Sequence, residues 1–352
     1  MFRYSYQRDN EQSVRNPRGN RDHHRDQYDR LWIDALWSSH LEERDIPKQA
    51  ARNATQSRRL ANPKLDPMKT PTNHWVITFV CQDQPGIVHS ISGAIVGAQG
   101  NITESQQFTS TESGKFFMRL QVEVSGPKEE FAMKISEVAA KYSATWHLDD
   151  VNRKIKALVL VSKSAHCLND LLFNQRSGQI PIEVPAVFGN HSELAELAGF
   201  YGIPFQSHPM TDEKTKAAFE ALLRKYIVDN QIELIVLARF MQILSPEFCR
   251  EFEGKIINIH HSFLPGFKGA NPYSQAHNRG VKLIGATAHF VTADLDEGPI
   301  IEQNVIRVDH GKSKKDLVAM GQDVESKTLA QAVRWFAEHR VLLDNERTII
   351  FH

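Results

Sequence analysis

Apolar and polar residues between 74 and 150 alternate in short patterns that predict strands and helices in a definite order. Trp75 to Val80 predicts a strand, and the polar segment that ends in Pro85-Gly86 predicts a turn. From Ile87 the apolar residues recur at helical spacing, which predicts a helix. Two strands joined by a hairpin, a second helix and a last strand are predicted over 102–109, 116–124, 129–142 and 143–149. The order βαββαβ is typical of a ferredoxin-like unit, which we assign to residues 73–150.

The pattern changes at Lys154, where short apolar strands begin to alternate with helices. Strands are predicted at 155–161, 183–188 and 234–237, and a helix is predicted to begin at Ser192. Strands that are apolar throughout and alternate with helices are typical of a buried parallel sheet. Residues 154–352 are therefore predicted to form a Rossmann-like α/β domain with a mostly parallel sheet.

Residues 1–72 are rich in Arg, Asp, Asn and Gln and have almost no apolar periodicity. Such a composition cannot bury enough surface to fold alone, so we predict a disordered or poorly ordered extension. The 11 arginines before Leu60 are typical of a mitochondrial transit peptide, whereas the nine acidic residues in the same stretch are not. We therefore expect a cytoplasmic location, with a mitochondrial one as the alternative.

The charge balance limits the partners that the chain can have. The 42 basic and 42 acidic side chains cancel, and no long run of like charge follows, so neither nucleic acid nor a membrane surface is an expected partner. The cysteines, Cys81, Cys167 and Cys249, lie far apart and form no C-x-x-C pair, which argues against a zinc site or a disulfide framework. A small-molecule ligand is the expectation that remains.

Candidate chemistry first occurs where an apolar strand ends at Asn258-Ile259-His260. Asn258 and His260 are two residues apart and share one face of an extended backbone. In open α/β sheets, ligands bind beyond the carboxyl ends of strands, so this amide and this imidazole are candidates for a site. The structural alternative is an asparagine that stabilises a turn beside a buried histidine.

A second strand, Gly285 to Thr292, leads into a loop that carries three carboxylates and ends in Gly298-Pro299. If Asp296 of this loop approaches His260, each charge would stabilise the other, and the pair could move protons on a carbonyl substrate. Asp296 would then orient or deprotonate a water molecule. Asn258 and protonated His260 would bind the oxyanion that forms when water attacks.

The segments 258–265, 289–291 and 295–299 together resemble the folate-dependent formyltransferase superfamily. The resemblance implies that Asn258, His260 and Asp296 are the catalytic residues. Within the superfamily, segments 260–265 and 281–289 are similar to the formyltetrahydrofolate deformylase family. The implied activity is hydrolysis of 10-formyltetrahydrofolate to formate and tetrahydrofolate, which supplies one-carbon and purine metabolism. Folate would be the substrate, with no cofactor and no metal.

The segment 239–245 resembles the part of this fold that wraps the pterin ring of folate, with contacts made mainly through the backbone. The folate-binding residues that the resemblance implies are Met241, Gln242, Ile243, Leu244, Val291 and Thr292.

The βαββαβ unit resembles an ACT domain through the segment 83–88. This resemblance implies a homo-oligomer with a small effector, expected to be an amino acid, at a subunit interface. The implied effector-binding residues are Asp83, Pro85, Gly86, Ile87, Val88 and Asn101. The alternative is that the unit serves only for dimer contacts.

One segment departs from the transferases of the superfamily. Glycinamide ribonucleotide transformylases carry a glycine-rich phosphate loop after the first strand, whereas this chain has residues 162–167, Ser-Lys-Ser-Ala-His-Cys. Lys163 and His166 could line a substrate channel or be exposed or structural. The departure favours water as acceptor over a formyltransferase with an amine acceptor. A second rival, a non-catalytic folate or amino-acid sensor, would not need Asn258, His260 and Asp296 together.

Overall fold

The structure, a computed structural model, describes residues 72–264 and 272–352. The predicted extension therefore lies outside the described residues, apart from Thr72. None of the helices in the described part of the chain is long and apolar enough to cross a membrane.

Residues 72–150 form an antiparallel four-stranded sheet with two helices on one face. The elements are β1 (Thr72–Gln82), α1 (Ile87–Gly97), β2 (Asn101–Thr109), β3 (Lys115–Ser125), α2 (Lys128–Tyr142) and β4 (Thr145–Asp150). The strand order is β2-β3-β1-β4, so the predicted βαββαβ topology is observed. Alternate side chains such as Ile77, Phe79 and Leu120 pack against both helices, as the two-residue period of a strand requires.

The rest of the described chain is an α/β domain. Its first half contains β5 (Ile155–Val161), α3 (His166–Arg176), β6 (Ile182–Glu183), β7 (Val187–Gly189), α4 (Ala195–Phe200), β8 (Phe205–Ser207), α5 (Glu213–Asn230) and β9 (Leu234–Ala238). Its second half contains α6 (Pro246–Glu251), β10 (Ile256–His260), α7 (Pro272–Arg279), β11 (Leu283–Phe290), β12 (Ile300–Arg307), α8 (Lys314–Ala337), β13 (Val341–Asp344) and β14 (Arg347–Ile350).

The large sheet has the order β12-β11-β10-β9-β5-β7-β8, with β6 paired to β5 outside this path. Strands β10 to β8 are parallel, whereas β11 and β12 are antiparallel additions at one edge. The prediction of a mostly parallel sheet is confirmed. Both faces of the central strands are buried, one against α3 and α8 and the other against α5 and α6, which explains their continuously apolar sequence.

Three sequence predictions were wrong in detail. The strand expected over 183–188 is divided into β6 and β7, because Pro185 between them has no N–H to donate to a strand ladder. The helix expected from Ser192 begins three residues later, at Ala195. The strand expected over 285–292 is shifted to Leu283–Phe290.

The face of the small sheet opposite its helices packs against the chain that follows α8. Arg119 on β3 is only 1% exposed, and its Nε and Nη2 donate to the carbonyl oxygen of Glu338 at 3.2 and 3.0 Å. Glu104 on β2 pairs with Arg119 at 3.0 Å and with Arg340 at 3.1 Å. The C-terminal end of α8 and the segment after it are therefore anchored to the βαββαβ unit by the buried Arg119 and by the partly buried pair of Glu104 and Arg340.

Candidate active site

A cavity of about 730 Å³ lies beside the carboxyl ends of β9 and β10. This volume is in the range that small-molecule sites occupy. Its wall includes Asn258 and His260 on β10 and Asp296 from the loop after β11. The residues that the sequence singles out as a catalytic trio are thus brought together at one cavity.

The central contact of this trio joins an imidazole and a carboxylate. His260 Nδ1 lies 3.2 Å from Asp296 Oδ2, and both side chains are largely buried, with exposures of 7% and 17%. The hydrogen bond from His260 and the nearby ring of His289 lower the pKa of Asp296 well below its ordinary value, against the opposing effect of burial. Asp296 is therefore a carboxylate over the whole physiological pH range.

His289 is a fourth member of the cluster, and the sequence pattern gave it no role. It lies opposite Asn258 across the β10–β11 ladder, and its Nε2 is 3.3 Å from Asn258 Nδ2 and 3.7 Å from Asp296 Oδ1. Its Nδ1 donates to the carbonyl oxygen of Phe290 at 2.8 Å, which leaves Nε2 of the neutral ring as an acceptor. Asn258 Nδ2 then donates one hydrogen to His289, which fixes the orientation of the amide.

The loop that carries Asp296 is held by an unusually close approach of its backbone to β11. A Cβ added to Gly298 would lie 1.8 Å from the carbonyl oxygen of Phe290, and Phe290 N donates to Pro299 O at 2.9 Å. Asp296 itself has φ of 58°, a left-handed conformation that aspartate tolerates better than most residues. The Asp-x-Gly-Pro sequence is thus needed to direct the carboxylate toward His260.

All six residues predicted to bind folate line the same cavity: Met241, Gln242, Ile243, Leu244, Val291 and Thr292. Met241 and Ile243 are 57% and 61% exposed, which leaves apolar surface for a ligand to cover. The backbone N–H of Met241 donates to Ser162 Oγ at 2.9 Å, and that of Ser245 donates to Glu220 Oε1 at 2.7 Å. Both ends of the segment are therefore fixed.

A second polar cluster, centred on Glu325, lines the cavity. The sequence analysis named His166 of this cluster and left open whether it lines a substrate channel. Glu325 on α8 is 1% exposed and contacts His166 Nε2 at 2.8 Å, Tyr273 Oη at 2.5 Å and Arg239 Nε at 3.3 Å. The other candidate, Lys163, is 61% exposed and pairs with Glu193 at 3.0 Å. His166 therefore belongs to the cavity wall, and Lys163 belongs to the surface.

Two groups in the described part of the chain have the spacing of metal ligands, but their chemistry does not favour a metal. In the first, Asp149 stands between His147 and His339 and already accepts hydrogen bonds from Arg153 on both oxygens. In the second, burial and then the charge of Glu325 raise the pKa of Cys167, so its sulfur is a thiol rather than a thiolate ligand.

The residues predicted to bind an effector do not meet within one protomer. Asp83, Pro85 and Gly86 form the exposed turn after β1, with Ile87 buried and Val88 exposed at the start of α1. Asn101 pairs with Glu123, whereas the end of β1 pairs with Lys115 at the opposite end of β3. Eight residues of strand separate these positions by roughly 27 Å. A joint site would need residues from a second chain, as the predicted subunit interface assumes.

Comparison with known proteins places this site in a family. A family model described as formyl transferase matches residues 155–333. The formyltetrahydrofolate deformylase of Corynebacterium sp. (strain P-1) is 47% identical over 280 residues, which cover 78% of this chain and 97% of that protein. The chain belongs to the formyltetrahydrofolate deformylase family.

Solved structures agree with membership in the deformylase family. The crystal structure of formyltetrahydrofolate deformylase from Burkholderia mallei ATCC 23344 has a TM-score of 0.76 and 44% identity, covering 80% of this chain and 100% of that one. Glycinamide ribonucleotide transformylase 1 from Symbiobacterium toebii has a TM-score of 0.53 and 33% identity, covering 56% of this chain and 95% of that one. The deformylase structure thus matches a larger part of this chain than the transformylase structure does.

Proposed function

We propose that the chain hydrolyses 10-formyltetrahydrofolate to formate and tetrahydrofolate, with water as the acceptor of the formyl group. The observation that carries the proposal is the 3.2 Å contact between His260 and Asp296 beside Asn258, in a cavity lined by the folate segment. Membership in the deformylase family supports the same reaction.

The proposed reaction begins with a water molecule bound to Asp296. Since Oδ2 of Asp296 contacts His260, Oδ1 is the oxygen left to orient the water and accept its proton. The water oxygen bonds to the formyl carbon, and the carbonyl electron pair moves to oxygen to form a tetrahedral oxyanion. The carbon–nitrogen bond then breaks, Asp296 passes the proton that it took from water to the folate nitrogen, and formic acid departs and loses its remaining proton to solvent as formate.

Asn258 and His260 would stabilise the oxyanion. Since Asn258 gives one amide hydrogen to His289, its other hydrogen remains for the oxyanion. His260 Nε2 is buried and has no hydrogen-bond partner among the described residues, so it can donate when the ring is protonated. One oxyanion donor is typically worth about 10²–10³ in kcat, and a positioned general base about 10²–10⁴.

The test is release of formate from 10-formyltetrahydrofolate in the absence of any amine. We expect stoichiometric formate and tetrahydrofolate from the wild type, and formate release about 10²–10⁴ times slower from Asp296→Asn. If formyl transfer requires an added amine, the chain is a transferase and the proposal is wrong. If formyl-folate binds but never turns over, the sensor is the correct function.

We propose two further properties for the βαββαβ unit, namely that it joins chains into a homo-oligomer and that it binds an amino-acid effector at the subunit interface. The exposed turn at Asp83–Gly86 and the exposed Asn101 support this assignment, since both are accessible to a second chain. A role in one-carbon and purine metabolism follows from the proposed products. The cytoplasmic location and its mitochondrial alternative stay sequence predictions.

A further inference from the structure

His261 is an ionisable residue in the wall of the cavity, and the reaction proposed above does not use it. In a continuing strand, the rings of His260 and His261 would point to opposite faces of the sheet. Strand β10 ends at His260, however, and the chain bends at His261, so both rings reach the same cavity. Their centres lie 5.3 Å apart. A second imidazole thus stands beside the one that is proposed to bind the oxyanion.

The ring of His261 is not engaged by other polar side chains. It is partly exposed and lies beside the ring of Tyr273, with 6.5 Å between the ring centres. Its nitrogens make no hydrogen bond with the described residues, whereas the other two imidazoles of the site, His260 and His289, both face Asp296. His261 can therefore bind a small molecule in the cavity through its ring nitrogens.

The surroundings of His261 keep its ring neutral. Burial, the charge of Arg239 and then the charge of His260 lower the pKa of His261 to about 4, against the opposing carboxylates of Glu325 and Asp296. A neutral imidazole has one N–H donor and one acceptor nitrogen, whichever tautomer is present. At neutral pH the cavity wall therefore contains a hydrogen-bond acceptor beside His260.

The hydrolysis proposed above leaves one hydrogen of the attacking water without a partner. Asp296 Oδ1 accepts the first hydrogen, and Oδ2 contacts His260. The ring of His289 cannot bind the second hydrogen, because its acceptor nitrogen already takes a hydrogen from Asn258. A water molecule held at both hydrogens has a fixed orientation, which favours attack on the formyl carbon. The acceptor nitrogen of His261 can supply the second contact.

We propose that His261 is a further catalytic residue, which binds the second hydrogen of the attacking water and removes that proton as the product leaves. The water oxygen bonds to the formyl carbon while the first proton passes to Asp296. That proton then moves to the folate nitrogen as the carbon–nitrogen bond breaks. The second proton passes to the acceptor nitrogen of His261, so the product departs as formate. The protonated ring returns this proton to solvent, because burial and Arg239 disfavour its charged form. The inference deepens the proposed hydrolysis and rests on it.

The test compares substitutions at position 261 in the full-length protein. His261→Phe keeps a ring but has no acceptor, whereas His261→Gln keeps an acceptor in a flexible side chain. We expect kcat for formate release to fall about 10²-fold in the phenylalanine variant and about tenfold in the glutamine variant. The Kd for folate should stay within a few-fold of wild type in both variants. His277→Phe, at an exposed position on α7, is the matched control and should keep wild-type activity.

A third variant, His261→Ala, separates the acceptor role from simple packing. Imidazole and pyrrole are rings of the same size, but only imidazole has an acceptor nitrogen. Added imidazole should increase formate release by His261→Ala several-fold relative to its effect on wild type, whereas pyrrole should not. Equal responses to the two additives would overturn the proposal. So would a kcat for His261→Phe equal to or above that of His261→Gln, a comparison that does not depend on the folding of the alanine variant. Failure of the wild type to release formate would be a separate result, which rejects the proposed hydrolysis itself.

Discussion

His260 Nδ1 lies 3.2 Å from Asp296 Oδ2, while His260 Nε2 is buried without a hydrogen-bond partner among the described residues. The carboxylate therefore occupies one ring nitrogen, and the other is left for a ligand. A donor at both nitrogens requires the imidazolium form of the ring. This arrangement makes the catalytic hypothesis testable by single substitutions.

Asp296→Asn should lower kcat by about 10²–10⁴, because the amide cannot accept a proton from water. The Kd for folate should change only a few-fold, since asparagine has the same shape and also tolerates the left-handed backbone at this position. Single-turnover formate release and equilibrium folate binding measure the two effects. Asp294→Asn in the same exposed loop is the matched control and should stay within a few-fold of wild type. Loss of binding together with turnover would indicate a structural role for Asp296.

Asn258→Ala should lower kcat by about 10²–10³ with little change in KM, because its amide is proposed to bind the oxyanion rather than the ground state. Steady-state kinetics with 10-formyltetrahydrofolate would measure this. A rise in KM at constant kcat would instead make Asn258 a substrate-binding residue.

Gly298→Ala should lower kcat at least about 10²-fold, because the new methyl group collides with the carbonyl oxygen of Phe290 and displaces the loop that carries Asp296. The control is Gly199→Ala in α4, where an added Cβ meets nothing within 4 Å. Activity and melting temperature of both variants would be compared with wild type. Wild-type activity in Gly298→Ala would show that the loop position does not control the carboxylate.

Stability should fall as the pH is lowered from 6.5 toward 4. Burial and then the charge of His147 lower the pKa of His339 from 6.5 to about 4, and burial and Arg239 lower that of His261 to about 4. Between pH 6.5 and 4 these two histidines bind protons in the unfolded chain but stay neutral in the folded chain, so the free energy of unfolding decreases as the pH falls. Above pH 6.5 both histidines are neutral in the folded and in the unfolded chain, so protonation no longer lowers the stability.

The substitution that tests this pH dependence is His339→Asn, which suits the φ of 54° at this position. Melting temperatures between pH 4 and 7 should fall less steeply for this variant than for wild type. His310→Asn, at an exposed position, should keep the wild-type slope. Equal slopes for all three proteins would exclude His339 as a source of the acid sensitivity.

The features that could be predicted from the sequence are those that depend on residues close together along the chain. Strand β5 matches the predicted 155–161 because its apolar run is local, and Asn258 and His260 share a face because of their spacing. The choice of Asp296 among three loop carboxylates depended on the family resemblance. The fold then brings that carboxylate to His260 through the close approach of Gly298 to β11.

The polar cluster around Glu325 could not be predicted in the same way, because its members are separated from the carboxylate by up to 159 residues along the chain. Arg239 lies in a turn, His166 and Tyr273 lie at the starts of α3 and α7, and Glu325 lies in the middle of α8. No repeat along the sequence relates these positions. One signal was present: Glu325 lies at helical spacing from apolar residues that are buried on α8. Because charged side chains are rarely buried without a partner, a glutamate on the apolar face of a helix indicates that a donor or a cation lies opposite it.

Helix α8 spans 24 residues, or about 36 Å at 1.5 Å per residue. It presents Glu325 to the cavity, and the chain directly after it is anchored to the small sheet through Arg119 and Glu338. The middle of this helix therefore lines the cavity, while the residue that follows its last turn is bound to the small sheet. One continuous element thus connects the site to the βαββαβ unit.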